Sequence, residues 1–263
     1  MSRSPRSLLA AIVPPLVFGV GFLLIWETAV KVFDFQPYFL PAPSAIWTAF
    51  RENTALIWEA TKVSGLNALV GLVVGTALGV SMSFALARYR PLNDLMTPLS
   101  IGLNAVPIFV LVALFNNMYP VTSEVPRRLM VTLVVYFIVL VNVARGLREV
   151  GAIQLELMRS YAASDIAILR KVRVPNAVPY LFTALRIAAP ASVITAFVSE
   201  YFGGSQNGLG SRIVGNIALS NNAEAWAYVL AACLLGLAFY LVAVALERVV
   251  TPGGVSARER VGA

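Results

Sequence analysis

The chain has 263 residues, of which 59% are apolar and only 13% charged, and its net charge is +7. An ordinary soluble domain is roughly 25% charged, so one core could not hide this much apolar surface and a lipid bilayer must act as solvent. There is no histidine, and Cys233 is the single cysteine. An internal disulfide framework, a zinc site and a Cys/His nucleophile pair are therefore excluded, and the basic surplus serves membrane topology, not nucleic acid.

A helix needs about 20 mostly apolar residues to cross the hydrocarbon core. In chain order, six stretches qualify: Ala10–Phe33, Val63–Ala87, Leu92–Phe115, Leu129–Ala144, Tyr180–Tyr201 and Ala225–Leu246. The expected fold is all-α, a polytopic transmembrane helical bundle forming one domain over residues 1–263. The basic N-terminus followed by an apolar run looks like a signal peptide. However, the run continues past Trp26 without a small-residue cleavage site, so it is read as a retained first span.

After the first span, Ser44 follows Pro43 and precedes Trp47, Phe50 and Trp58. This predicts a short amphipathic helix at the membrane interface, N-capped by Ser44. In the second span Gly71, Gly75 and Gly79 share nearly one face, where a second helix can approach closely. That partner is either another helix of the chain or a neighbouring subunit. The third span contains Asn104 and Pro107, and the fifth contains Arg186 and Pro190. Polar groups within spans are costly, so Glu27, Asn104, Asn142 and Glu200 are candidates for a solute path. For each asparagine the competing reading is a hydrogen bond between helices, and for each glutamate contact with headgroups or water.

An even number of spans puts both termini on one side. Most of the 20 basic residues, including Arg3, Arg6, Arg88, Arg145, Arg170 and Arg248, fall on that side, which predicts cytoplasmic termini. On the same side lies the long stretch 145–179. Its first half, Ile153–Ala162, predicts a short helix with Leu157 and Tyr161 on a common face. Ser164 is expected to N-cap a second helix, with Asp165 in its first turn and Arg170, Lys171 and Arg173 in its last. Pro175 and Pro179 are expected to stop this helix before the fifth span. Periodicity alone leaves two readings open, a docking lever and a solvated loop.

Several of these residues form a pattern. Glu156 is followed by Ala162 and, at the end of the stretch, by Val174-Pro175. The runs Arg159–Ser164 and Pro179–Arg186, the segment Leu40–Ser44, and Glu200 followed by Gly208-Leu209-Gly210 complete it. The stretch resembles the cytoplasmic coupling ("EAA") loop of inner-membrane permeases of binding-protein-dependent ABC importers, and the other runs resemble the nitrate/sulfonate/taurine branch. Leu157 and Met158 replace two alanines of the family pattern, and Ala162 replaces its glycine. The turn there is therefore either ordinary in backbone or strained.

The resemblance implies a multi-pass permease subunit of a bacterial inner membrane whose elbow, Glu156, Arg159, Ala162, Ser164 and Asp165, docks on a cytoplasmic ATP-binding subunit. It also implies an extracytoplasmic solute-binding protein and a dimeric pore, of which the homodimer is the simpler form. The sequence has no Gly-x4-Gly-Lys-[Ser/Thr] phosphate loop, so ATP and magnesium belong to the partner and no cofactor is expected in this chain. The implied solute is a small anion such as nitrate, a sulfonate or taurine. The segment Asn116–Glu124 departs from that branch and admits a heterocyclic vitamin precursor of pyrimidine or riboflavin type. A stand-alone secondary transporter is the competing class, although the two halves show no inverted repeat.

Overall fold

The computed structural model describes residues 5–89, 106–203 and 207–250, with side chains from residue 13 onward. Ten α-helices are defined within them: α1 (Pro5–Val32), α2 (Pro43–Glu52), α3 (Thr54–Arg88), α4 (Ile108–Met118), α5 (Val125–Arg148), α6 (Ala152–Ser160), α7 (Asp165–Ile168), α8 (Val174–Tyr201), α9 (Leu209–Ala218) and α10 (Asn222–Val250). A π-helical turn, Leu169–Arg173, joins α7 to α8. Among the described residues, five helical runs are long and apolar enough to cross a membrane, and Ile108–Met118 is a shorter apolar helix. Most of the predicted third span and Asn104 lie outside the described residues.

Three stripes at four-residue steps build the centre of the bundle. On α3 the stripe is Gly71, Gly75 and Gly79, followed by Ser83, and on α5 it is Val131, Val135, Val139 and Val143. On α8 it is Ala184, Ala188, Ser192 and Ala196, and every one of these residues is buried. In lipid, apolar surface gains nothing from meeting other apolar surface, so small residues that let backbones touch drive helix association. The partner of the glycine face is α5. A Cβ on Gly75 would lie 2.7 Å from the Thr132 carbonyl oxygen, and one on Gly79 would lie 2.9 Å from the Tyr136 carbonyl oxygen. Gly71 meets Val131 in the same way, and the Ser83 hydroxyl donates to the Leu140 carbonyl at 3.1 Å.

Residue numbers rise together along this seam, so α3 and α5 run parallel. Between them in sequence, α4 lies near the end of α8, where Phe109 meets Phe202 at 6.3 Å. Helix α8 runs antiparallel to α3 and α5. Its start meets the end of α5 at Gly146, where an added Cβ would lie 2.7 Å from the Tyr180 ring. Its end meets α3 through Glu200 and Ser64. A second core, with Ile57, Ala60, Leu209, Ile213, Ala225 and Tyr228, packs α2, α3, α9 and α10 together at that far end. Helix α1 is exposed along most of its length and reaches the bundle at its end, where Trp26 meets Trp226 edge-on at 5.4 Å.

The structure corrects two local expectations and adds an element that the sequence reading did not place. Ser44 does not N-cap α2, because Ala42 occupies that position. Ser44 instead donates its backbone N–H (3.0 Å) and its hydroxyl (2.8 Å) to the Glu27 carboxylate. Glu27 thus serves the exposed donors at the start of α2 from another helix, where a negative charge is favoured. Pro175 and Pro179 do not stop the helix. The chain stays helical from Asp165 to Tyr201, with the π turn immediately before Val174-Pro175, where proline removes an amide donor and the backbone is free to change its hydrogen-bond step. Finally, the glycine-rich segment after α8 contains a helix, α9, and the apolar spacing Leu209–Ile213–Ile217 carried that signal.

The seam yields a contrast that can be measured. Gly75→Val should cost roughly 1–3 kcal/mol through overpacking, read as a lower melting temperature in detergent. Gly236, which has nothing within 4 Å of an added Cβ, should tolerate Gly236→Ala with equal or higher stability, because glycine within a helix is disfavoured.

Candidate functional site

Two places concentrate chemistry, one at each end of α8. The first is the elbow formed by α6, α7 and the turn between them. Helix α6 has no buried residue, although Ile153, Leu157 and Tyr161 follow one another at four-residue steps. They are 82%, 54% and 75% exposed, and Ile166 beyond the turn is 68% exposed. Four large apolar side chains on a charged loop are thus left exposed by the described residues.

The turn has a defined geometry. The Ala163 N–H donates to the Met158 carbonyl (3.0 Å) and the Ala162 N–H donates to the Arg159 carbonyl (2.9 Å). This crossed pair is the Schellman closure of a helix C-terminus, which places the residue after the cap in the left-handed region. Ala162 occupies it with φ of 51°. The strained alternative for this turn is the one realised, and it falls at the position where the family pattern has glycine. Ser164 then accepts from the Ala167 N–H at 3.3 Å through its side chain, capping α7 as the sequence predicts, and Asp165 stands in the first turn. Glu156, Arg159, Ala162, Ser164 and Asp165 are all exposed on this one elbow.

The second place is a buried polar cluster at the opposite end of the bundle. Glu200 is 2% exposed. Its Oε2 accepts from the Ser64 hydroxyl (2.7 Å) and the Gly210 N–H (3.1 Å), while the Ser64 oxygen accepts from the Leu209 N–H (2.9 Å). Together, Glu200 and Ser64 cap the start of α9. An added Cβ on Gly208 would collide with the Glu200 carboxylate, and one on Gly210 with the Phe197 carbonyl oxygen, so side chains are excluded where the segment passes over α8. Beside this, Arg127 is 1% exposed and pairs with Glu124. Asn67 donates to Glu124 at 2.7 Å and accepts from the Arg128 Nε at 3.1 Å.

Of the solute-path candidates, Asn104 lies outside the described residues, and the structure does not bring Asn142 and Glu200 together. Asn142 donates to the Ile138 carbonyl of its own helix at 2.7 Å, and Glu200 lies at the far end of the bundle. Sequence reasoning missed the Ser64–Asn67–Glu124–Arg127 grouping, because arginines close to a span end were assigned to topology alone. The signal was their four-residue phase with the stripes: Arg127 leads into Val131, and Glu200 continues Ala188–Ser192–Ala196.

Both ends fall within a recognisable sequence. The profile of the binding-protein-dependent transport system inner membrane component matches residues 71–253. The chain belongs to this family. Over 199 residues it is 31% identical to a Haemophilus influenzae protein named "Probable ABC transporter permease protein", covering 75% of this chain and 79% of the relative. It is 26% identical over 213 residues to the formylaminopyrimidine transport permease protein ThiX of Halalkalibacterium halodurans, covering 80% and 81%. It is also 27% identical over 212 residues to the bicarbonate transport system permease protein CmpB of Synechococcus elongatus, covering 74% and 73%. This permease is thus a multi-pass membrane component of a binding-protein-dependent ABC transporter, and its role is transport.

Two substitutions test the two places. Ala162→Gly should stabilise the elbow by about 1 kcal/mol, since left-handed backbone costs alanine more than glycine, and should slow proteolytic cleavage in the loop. Glu200→Ala should cost about 1–3 kcal/mol by leaving buried donors without an acceptor, and should open α9 to hydrogen exchange before the rest of the bundle.

Proposed function

We propose that this permease forms the pore of an ATP-driven importer, and that its elbow docks in a groove on a separate cytoplasmic ATP-binding subunit. The observation that carries this reading is the uncovered stripe Ile153–Leu157–Tyr161 with Ile166, set on an ordered elbow that includes Glu156, Arg159, Ala162, Ser164 and Asp165. A solvated topology loop has no need of four exposed large apolar side chains. The sequence has no phosphate-binding loop of its own, so ATP and magnesium would be held by the partner. The excess of basic residues on the elbow's side supports placing that side, and both termini, in the cytoplasm of a bacterial inner membrane. The opposite end, with α2, α9 and the Glu200 cluster, would then receive solute from an external binding protein. Two copies of this chain would make the pore.

Closure of the ATP-binding subunits would push the elbows and rock the spans between two packings, a rigid-body switch. The solute we propose is a small anion of the sulfonate or bicarbonate kind, supported by the branch resemblance and by the bicarbonate relative. A pyrimidine-type vitamin precursor is the second reading, favoured by the formylaminopyrimidine relative. Asn142, bonded within its own helix, and the buried Glu200 act in packing on this reading.

The test begins with the complex. The tagged permease, extracted in mild detergent from its host, should co-purify with an ATP-binding subunit. Leu157→Asp and the charge reversal Asp165→Lys should each abolish or sharply reduce that association while leaving membrane insertion intact. Undiminished co-purification of both variants would remove the elbow from the docking site. Repeated isolation of the wild-type chain without any ATPase would favour a transporter that works alone.

A further inference from the structure

The elbow is rooted in the bundle by a small cluster centred on Asn176. Loop and helix meet where α5 ends and α8 begins, with Glu149 and Asn176 lying 27 positions apart in sequence. There the Asn176 Nδ2 donates to the Gly146 carbonyl at 2.7 Å and to the Glu149 carbonyl at 2.9 Å. Both partners are acceptors, so only the amide nitrogen can serve them, and its two hydrogens match the two bonds. The carbonyls at the end of α5 are those that a helix C-terminus cannot satisfy internally. Tyr180, one turn further along α8, donates its hydroxyl to the Glu149 carboxylate at 2.8 Å, and Glu149 also pairs with Arg145 at 2.7 Å. Gly146 closes the contact, its Cα lying against Ala177 and Tyr180 with no room for a side chain.

Just before this clasp is the π turn, Leu169–Arg173. Such turns are places where an α-helix can kink, and they are frequent at functional sites. A push on the elbow can be absorbed by bending there, or it can pass into the spans beyond. Helix α8 runs from the clasp to Glu200, whose carboxylate holds the start of α9. One rod thus joins the root of the elbow to a cap at the opposite end of the bundle.

We infer that Asn176 is the positioning residue that couples the elbow to the spans, by clasping the end of α5 to the start of α8 so that both helices move together when the elbow is pushed. This rests on the elbow docking an ATP-binding subunit. Without the clasp, motion would stop at the π turn, and α8 would slip against α5 without carrying it.

The experiment uses the co-purified complex in nanodiscs, with ATP plus vanadate as the probe and hydrogen exchange as the readout. In the wild type, trapping should alter exchange both in the loop (150–168) and in α9 (209–218). In Asn176→Ala, and in Asn176→Asp, which presents an acceptor to two carbonyls, the loop response should persist while the α9 response falls about tenfold, as expected for loss of a half-buried donor with two acceptors. A merely structural asparagine would instead lower protection across the bundle and leave the trapping response intact in both regions. Should neither Asn176 variant be recovered folded, Tyr180→Phe decides, with a smaller but selective loss at α9 expected. An unchanged α9 response in the folded variants, or a wild type that responds in the loop alone, overturns the assignment. A wild type with no ATPase bound overturns the docking reading itself, and is distinguished at the purification step.

Discussion

Along the seam between α3 and α5, three successive contacts on α3 are made by hydrogen atoms where other residues carry a side chain. Gly71, Gly75 and Gly79 let Val131, Val135 and Val139 reach the opposing backbone, and the valines are stiff enough to hold one register. This fixes the parallel pairing of α3 and α5. It also fixes the surface on which α8 lies, since Ala184, Ala188, Ser192 and Ala196 pack into the same core with almost no reach of their own. The polar groups at both ends depend on it in turn. Ser64 can meet Glu200, and Asn176 can meet Gly146, because the backbones between those points are already close.

Two glutamates have parallel roles at the far end. Glu27 projects from α1 to the start of α2, and Glu200 projects from α8 to the start of α9. Each short helix there is too brief to hold its own shape in isolation, and each offers exposed N–H donors at the end nearest a span. A carboxylate from that span satisfies them and brings a charge of the favoured sign. An acidic residue near the end of a span is expensive in lipid, and in both cases the cost is offset by fixing a short helix at this end of the bundle. These glutamates therefore explain how that end is held in place, and do so without reference to solute.

Much of this was legible in sequence, and what was not has a physical reason. Five long apolar helices overlap stretches marked out by apolar length, the third stretch lying mostly outside the described residues, and the elbow follows from Ser164, Asp165 and the basic residues beyond them. The close-packing face of α3 follows from its glycine spacing, although spacing could not say that α5 was the partner. The caps were illegible because Glu27–Ser44 and Glu200–Gly210 join segments whose relative placement is decided by tertiary packing. Ser44 had the right chemistry for a cap and was used in a different bond. The continuity of Asp165–Tyr201 through Pro175 and Pro179 was hidden for a similar reason. Proline predicts a break only where no neighbouring turn or helix can take up the freed carbonyls, and Asn176 beside it already serves the end of α5.

The elbow differs from the rest of the bundle in what stabilises it. Helix α6 has nine residues and buries none of them, a length at which an isolated helix in water is marginal. Its closing turn places Ala162 in left-handed backbone, at a cost of about 1–2 kcal/mol that glycine would avoid. Neither feature is compensated within the described residues, where Ile168 is the one buried side chain of α6 and α7. Segments of this kind lie at the low end of local stability. Whatever covers Ile153, Leu157 and Tyr161 must then contribute a large part of the order of the elbow. On the proposed docking, binding and ordering become one event, and a weakly held elbow would respond to its partner without disturbing the seam that holds the spans.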